Sequence, residues 1–219
     1  MKTTPIIFVR ISDMEYYRGI TETDVPYNGG SYVKETGEAH ECFNFDTVES
    51  DGEKVCFGFV MQPTVEGHVL PQIHIEKIVG CKAMKKAEKA EGVTVVFCSS
   101  ARGSKCTRVV GFYKNATVYR YHQLAYFSDE NGETNYVQEY SFIAKSEDCV
   151  LLPRNERCTK ANWFVPSSKR DGYDFGMGRS SIWYAEGYES NPKLQKYISD
   201  MIESTENYTG RNLMNEEVK

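Results

Sequence analysis

Apolar positions recur along this chain with two different spacings. Up to about residue 152 the short spacing of strands prevails: IIFVRI (6–11), SYVKE (31–35), ECFNF (41–45), KVCFGFVMQ (54–62), QIHIEKI (72–78), GVTVVFCSS (92–100), TRVVGFY (107–113), ATVYRYHQLAYF (116–127), NYVQEYSFIAK (135–145) and CVLLP (149–153). The turn signals YNGG, ESDGE, ARGSK and SDENGE separate them. DENGE between two long aromatic-rich runs predicts a hairpin, because Asn and Gly tolerate positive φ. VVGFYKNATVYR (109–120) reads as a barrel strand anchored by Val109, Val110 and Phe112, with a surface turn at YKNA. Helical spacing is rarer. A short helix capped by Ser12 or Asp13 is expected in SDMEYYRG, and another over CKAMKKAEKAEG (81–92), stopped by Gly92.

The clearest helix is predicted over 192–204. Asn191 is placed as N-cap and Pro192 takes the first turn, where its missing N–H costs nothing. Leu194, Tyr197, Ile198, Met201 and Ile202 then form one apolar stripe. The stretch 155–187 is irregular but holds both tryptophans, which predicts a packed loop region. Many short strands with few helices predict an α+β, mainly β fold: a small, closed or nearly closed barrel with flanking helices and a C-terminal amphipathic helix. A single domain is expected over 1–205, with 206–219 a frayed tail.

Charge adds an asymmetry. The chain carries −5 overall, yet residues 77–120 hold ten basic side chains against Glu88 and Glu91. Within them Arg102, Lys105, Arg108, Lys114 and Arg120 meet no acid, a pattern suited to phosphate contact. The plainer reading is edge-strand and surface lysines that deter aggregation. Seven cysteines without a C-x-x-C pair suit a reducing cytoplasm. The apolar N-terminal run is too short for a signal-peptide core, so a cytoplasmic protein is expected.

Fifteen tyrosines and eleven phenylalanines exceed what a small core needs and predict aromatic-lined surfaces. A flat heteroaromatic ring is held by stacking faces and a few edge hydrogen bonds. Trp163 and the Trp183–Tyr184 pair, in glycine-rich polar sequence, are the first candidates, joined by Phe43. Asn44, Asn115 and Ser181 supply the edge groups. His40–Glu41 and His74-x-Glu76 pair imidazole with carboxylate and carry an alternative, hydrolytic reading. Nucleophile-elbow, phosphate-loop and clustered metal-ligand motifs are missing, so no catalytic set, metal or cofactor is assigned.

Taken in order, FVRIS-x-M-x-YY, G-x-AHE-x-FNF, GFV-MQP, IHIEKI, VTVVF, VVGFYKNATVYR and GMGRSSIWYAEG with its following helix resemble a bacterial module across residues 6–203. That module occurs in uncharacterised proteins and beside HNH-type nuclease domains. It is similar to the PUA-like superfamily, with its EVE, YTH, ASCH and SRA domains. The resemblance implies a PUA/EVE-like barrel that reads modified or flipped-out bases of DNA or RNA in an aromatic cage, in phage defence or restriction. No nuclease domain is recognised in this sequence, so cleavage would need a nuclease partner or an unrecognised site. The alternatives from another class are a nuclease or base-processing hydrolase on the same barrel, and a protein–protein adaptor built on the aromatic loop and helix 192–204.

Overall fold

The computed structural model describes residues 4–27, 40–62, 72–100, 103–104, 106–128, 131, 133–159, 161–167 and 171–216. Nine strands form one mixed sheet: β1 (Ile6–Arg10), β2 (Val48–Ser50), β3 (Glu53–Gly58), β4 (Lys89–Ser100), β5 (Thr107–Ser128), β6 (Thr134–Lys145), β7 (Cys149–Leu151), β8 (Phe164–Val165) and β9 (Ile182–Trp183). The path is β2-β3-β6-β5-β4-β1-β9, with β7 and β8 also paired to β5. Among the described residues only β1 and β4 run parallel; the other pairings are antiparallel. Among the described residues the path is open at both ends, so the fold is mainly β with helices, and its sheet is not a closed barrel.

β5 organises the molecule. Its first half pairs with β4 on one edge and with β7 and β8 on the other; its second half continues with β6. The turn expected at YKNA is absent, and residues 107–128 run as one bent strand. Asn115 bends it instead, with φ of 50°, and Gly92 on β4 has φ of 70° beside the irregular pairing at Val93↔Ala116. Positive φ on both strands accommodates a shared bulge without breaking the ladder. Gly92 therefore bends a strand and stops no helix. Residues 81–87 form successive turns closed by Met84 N–H to Cys81 O and Ala87 N–H to Met84 O. Pairing of 89–100 with β5 overrides their helical propensity.

Other local expectations change for the same reason. Residues 12–19 are bends, with Tyr17 at φ 53° and Asp13 bridged to Tyr27. His40–Phe43 and Ile75–Lys77 are single 3₁₀ turns where strands were expected. The expected strand 31–35 lies outside the described residues.

Both faces of the sheet are covered, which explains the continuous apolar run of β1. Ile7, Val9, Val95, Phe97, Tyr113 and Val118 join one core. Ile6, Phe8, Val96, Cys98, Val109 and Phe112 join the other, with Trp163, Trp183, Leu194 and Ile198. Two helices flank this second core, α1 (Arg154–Thr159) and α2 (Pro192–Glu206). Asn191 caps α2 by accepting from the Lys193 and Leu194 N–H groups, as its position predicts.

Of the tail expected to fray, residues 207–216 are docked; 217–219 lie outside the described residues. Asn212 accepts from Leu151 N–H and donates to Cys149 O, Leu213 is buried, and Arg18 donates to the Leu213 and Glu216 carbonyls. Among the described residues no helix is long and apolar enough to cross a membrane.

Candidate functional site

Aromatic side chains converge where α2 meets the segment after α1. A 3₁₀ turn (Ala161–Trp163) leads into β8 and sets Trp163 and Phe164 on one wall. Tyr197, Asp200, Met201 and Ser204, spaced along one face of α2, form the facing wall. Tyr173 and the docked residues 207–210 complete a pocket of about 780 Å³. Trp163 stacks on Phe112 with centroids 5.8 Å apart and meets the Tyr208 ring edge-on at 5.8 Å. Phe164 lies 5.9 Å from Tyr173.

Polar groups fix these rings. Tyr197 Oη donates to Phe164 O at 3.1 Å, and Tyr208 Oη donates to Arg211 O at 2.7 Å. Asn162 Nδ2 donates to Ser204 Oγ at 3.3 Å, and Asp200 pairs with Lys196 at 2.8 Å. Burial pushes the Tyr197 phenol well up from its usual range, so it stays a neutral donor. The indole N–H of Trp163 is buried with no acceptor among the described residues. Beside the pocket the Arg108 guanidinium lies over the Phe164 ring, 4.6 Å from its centroid.

The residues expected to hold a base are dispersed. Of the seven, Trp163 alone lines this pocket. Trp183 is buried in the same core, between Phe8 at 4.9 Å and Phe175 at 6.3 Å. Tyr184 belongs to the opposite core, and its hydroxyl accepts from His74 N–H at 2.9 Å. Tyr184 directly follows Trp183, the last residue of β9, and the two side chains join opposite cores. Phe43 packs on Tyr136 at 5.5 Å, across the sheet from the pocket. Asn44 is buried as a backbone clasp: Nδ2 donates to Phe59 O and Oδ1 accepts from Phe59 N–H. Asn115 is exposed and lies 3.4 Å from both Asp148 oxygens. Ser181 is half-buried, its carbonyl accepting from Arg10 N–H.

The basic set divides similarly. Arg102 and Lys105 lie outside the described residues. Arg108 flanks the pocket and Lys114 is half-buried on β5. Arg120 is turned inward: it donates to Ala87 O, Lys85 O, Gln72 Oε1 and Glu76 Oε2. Its guanidinium is a structural hub rather than a surface cation.

The carboxylate–imidazole pairs also rearrange. Glu41 faces away from His40, accepting from Ser12 N–H and Ser12 Oγ at 2.9 and 3.1 Å. Burial raises its carboxyl above the usual range, and those two donors only partly offset this. His40 instead accepts from Glu139 N–H through Nδ1 at 3.4 Å. Across the Phe59 ring lies His122, the two imidazole centroids being 5.2 and 4.9 Å from it. His122 Nδ1 donates to Glu139 Oε2 at 3.3 Å, while its Nε2 is buried with no partner among the described residues. Among the described residues no three His, Cys, Asp or Glu side chains form a metal-holding group.

Burial lowers the His122 pKa from 6.5, outweighing the bond to Glu139, and nearby His40 lowers it further. The folded state therefore releases this proton more readily than the unfolded chain. The resulting stability is present above about pH 6.5 and falls as pH drops through the lowered folded value. Urea titrations from pH 7.5 to 5 should show this loss in the wild type and a flatter profile for His122→Gln.

Sequence reasoning overlooked Phe164, Tyr173, Tyr197 and Tyr208 as pocket residues. Tyr208 lay in a stretch expected to fray, although Asn207 and Asn212 are residue types that end or cap helical turns. Nothing local in the sequence joins His122 to His40; strand pairing and the chain's return do so. Comparison with protein-family models, with curated proteins and with solved structures yields no match.

Proposed function

We propose that this chain is a nucleic-acid-binding reader that receives a modified or flipped-out base between Trp163, Phe164, Tyr173, Tyr197 and Tyr208. The observation that carries the reading is five aromatic side chains around one pocket with Arg108 stacked on the Phe164 wall. A base presents two π-faces and an amide-like edge; Asn162, Ser204 and Asn207 border the pocket with matching donors and acceptors. Arg108 then meets the phosphate next to the flipped nucleotide, which offsets repulsion from an acidic body. Stacking contributes about 1–3 kcal/mol per base, comparable with the unstacking that flipping costs. Membership of the PUA-like superfamily, with a nuclease partner in restriction or phage defence, is part of the proposal. It rests on the motifs from FVRIS to GMGRSSIWYAEG and on the mainly β architecture.

Binding of plain, methylated and hydroxymethylated duplexes and single strands, followed by tryptophan fluorescence and gel shift, tests the reading. Tyr208→Ala should weaken binding at least about tenfold, as expected for one lost stacking face. Arg108→Ala should weaken it evenly across sequences and reduce the salt slope by about one. Absence of binding to every probe at low salt would overturn the proposal.

A hydrolytic reading is favoured by one observation, the His122 imidazole oriented by Glu139, its Nε2 without a partner among the described residues and His40 across the Phe59 ring. An imidazole so oriented acts as a general base through its lone pair. Cleavage of labelled DNA or RNA that is lost in His122→Ala and His40→Ala, with folding intact, would replace the reader by this function.

A further inference from the structure

The rings of the pocket stand beside carboxylates. Asp200 and Glu203, one turn apart on α2, both line it and both are exposed. Asp200 also pairs with Lys196 at 2.8 Å, but that pair is exposed and screened by water. The described lining carries these two acids and no lysine or arginine. It includes the last turn of α2, where the helix dipole is negative and no basic side chain offsets it.

The facing wall has the opposite sign. There the Arg108 guanidinium lies over the Phe164 ring, 4.6 Å from its centroid, so a pocket ring already serves as the negative face of a cation–π pair. A nucleotide with an uncharged base matches half of this polarity. Its phosphate meets Arg108, while its ring brings no charge to the acids on α2. A base methylated on a ring nitrogen that has no proton to lose carries a fixed positive charge spread over the ring. Such a ring is held on aromatic faces by charge as well as by dispersion, and its N–H edge donates to carboxylates.

We propose that the base this pocket selects is a cation, a nucleobase methylated on a ring nitrogen, with Asp200 and Glu203 reading its charge and Arg108 holding its phosphate. The inference rests on the reader function proposed above and narrows modified bases in general to one electrostatic class.

Three otherwise identical oligonucleotides isolate the charge, each as RNA and as DNA, single-stranded and duplex. Their central base is 7-methylguanine, guanine or 7-deaza-7-methylguanine, the last keeping the methyl group and shape but remaining neutral. By calorimetric titration the 7-methylguanine strand should bind at least about tenfold tighter than its neutral isostere, the size of one well-formed cation–π contact. Asp200→Asn/Glu203→Gln, at exposed helix positions, should cut that ratio about fivefold with unchanged circular dichroism, as two partly exposed charge contacts would. Equal affinity for cation and isostere, or a preference untouched by the double variant, would overturn the inference and leave the reader standing. So would binding confined to strands with neutral bases such as 5-methylcytosine. Absence of binding to every strand would overturn the reader and this inference together.

Discussion

Replacing Arg120 by Met is expected to destabilise the protein by about 3 kcal/mol, the cost of removing one partner from a buried charged network. Arg120 is only 7% exposed, yet its side chain ties four chain positions together: Gln72, Glu76, Lys85 and Ala87. Met keeps much of the volume but leaves two carbonyls and the Glu76 carboxylate without their donor. For a domain of this size the melting temperature should fall by roughly 6–12 °C. The loss should also depend on pH. Burial works to raise the Glu76 carboxyl, but a backbone hydrogen bond and Arg120 outweigh it and hold the group below 4.5. A depressed folded pKa gives stability that is present above 4.5 and lost as pH falls through the folded value. The gap between wild type and variant should therefore narrow in acid. A variant as stable as the wild type at pH 7 would refute the hub role. Arg108→Ala, in which the guanidinium lies on a ring and donates only to its neighbour's carbonyl, serves as the surface comparison.

The second large effect is expected at Gly111, in the same strand. An added Cβ there would lie 2.5 Å from both Phe45 Cζ and Val150 O. The carbonyl belongs to β7, which is hydrogen-bonded to β5 at this point, so it cannot withdraw without breaking the ladder. Phe45 is locked by Phe97 and Tyr113, and Tyr113 Oη donates to Asn44 O. Gly111→Ala should cost about 3 kcal/mol, the upper part of the usual range for overpacking. The urea midpoint should fall with little change in slope, because the surface exposed on unfolding is the same. Gly58→Ala is the informative contrast. The three atoms nearest its Cβ would be ring atoms of Phe97, Tyr113 and Phe142, at 3.0–3.1 Å, and side chains give more easily than backbone. Equal destabilisation by the two substitutions would show that the Val150 carbonyl is not the rigid wall.

VVGFYKNATVYR shows how far local reading reaches. Its apolar start marked Val109, Val110 and Phe112 as anchors of a strand, and all three are buried. The same reading placed a turn at YKNA, since Lys and Asn favour surfaces. β4 and β6 instead carry the strand straight through by pairing on either side of a bulge at Asn115. Arg120 looked like a surface cation because nothing nearby in sequence opposes it; its partners arrive from residues 72–88. The aromatic candidates illustrate the same limit. Trp163 reaches the pocket, whereas Trp183, at the end of β9, and Tyr184, just beyond it, join separate cores. Tyr197 and Tyr208, which complete the pocket, were read as a helix stripe and a loose end.

The sequence by itself determined the mainly β character, the strand runs of β1, β3, β6 and β7, most of β4, the two halves of β5, the hairpin after Ser128, and α2 with its Asn191 cap. These follow from period, turn chemistry and capping, all of which act within a few residues. Tertiary structure decided which charges are buried, which rings share a pocket, and that the sheet remains open among the described residues. Those outcomes depend on contacts between residues far apart in the chain, from 33 positions for Arg120 and Ala87 to 175 for Phe8 and Trp183, where burial and hydrogen bonding outweigh any local preference.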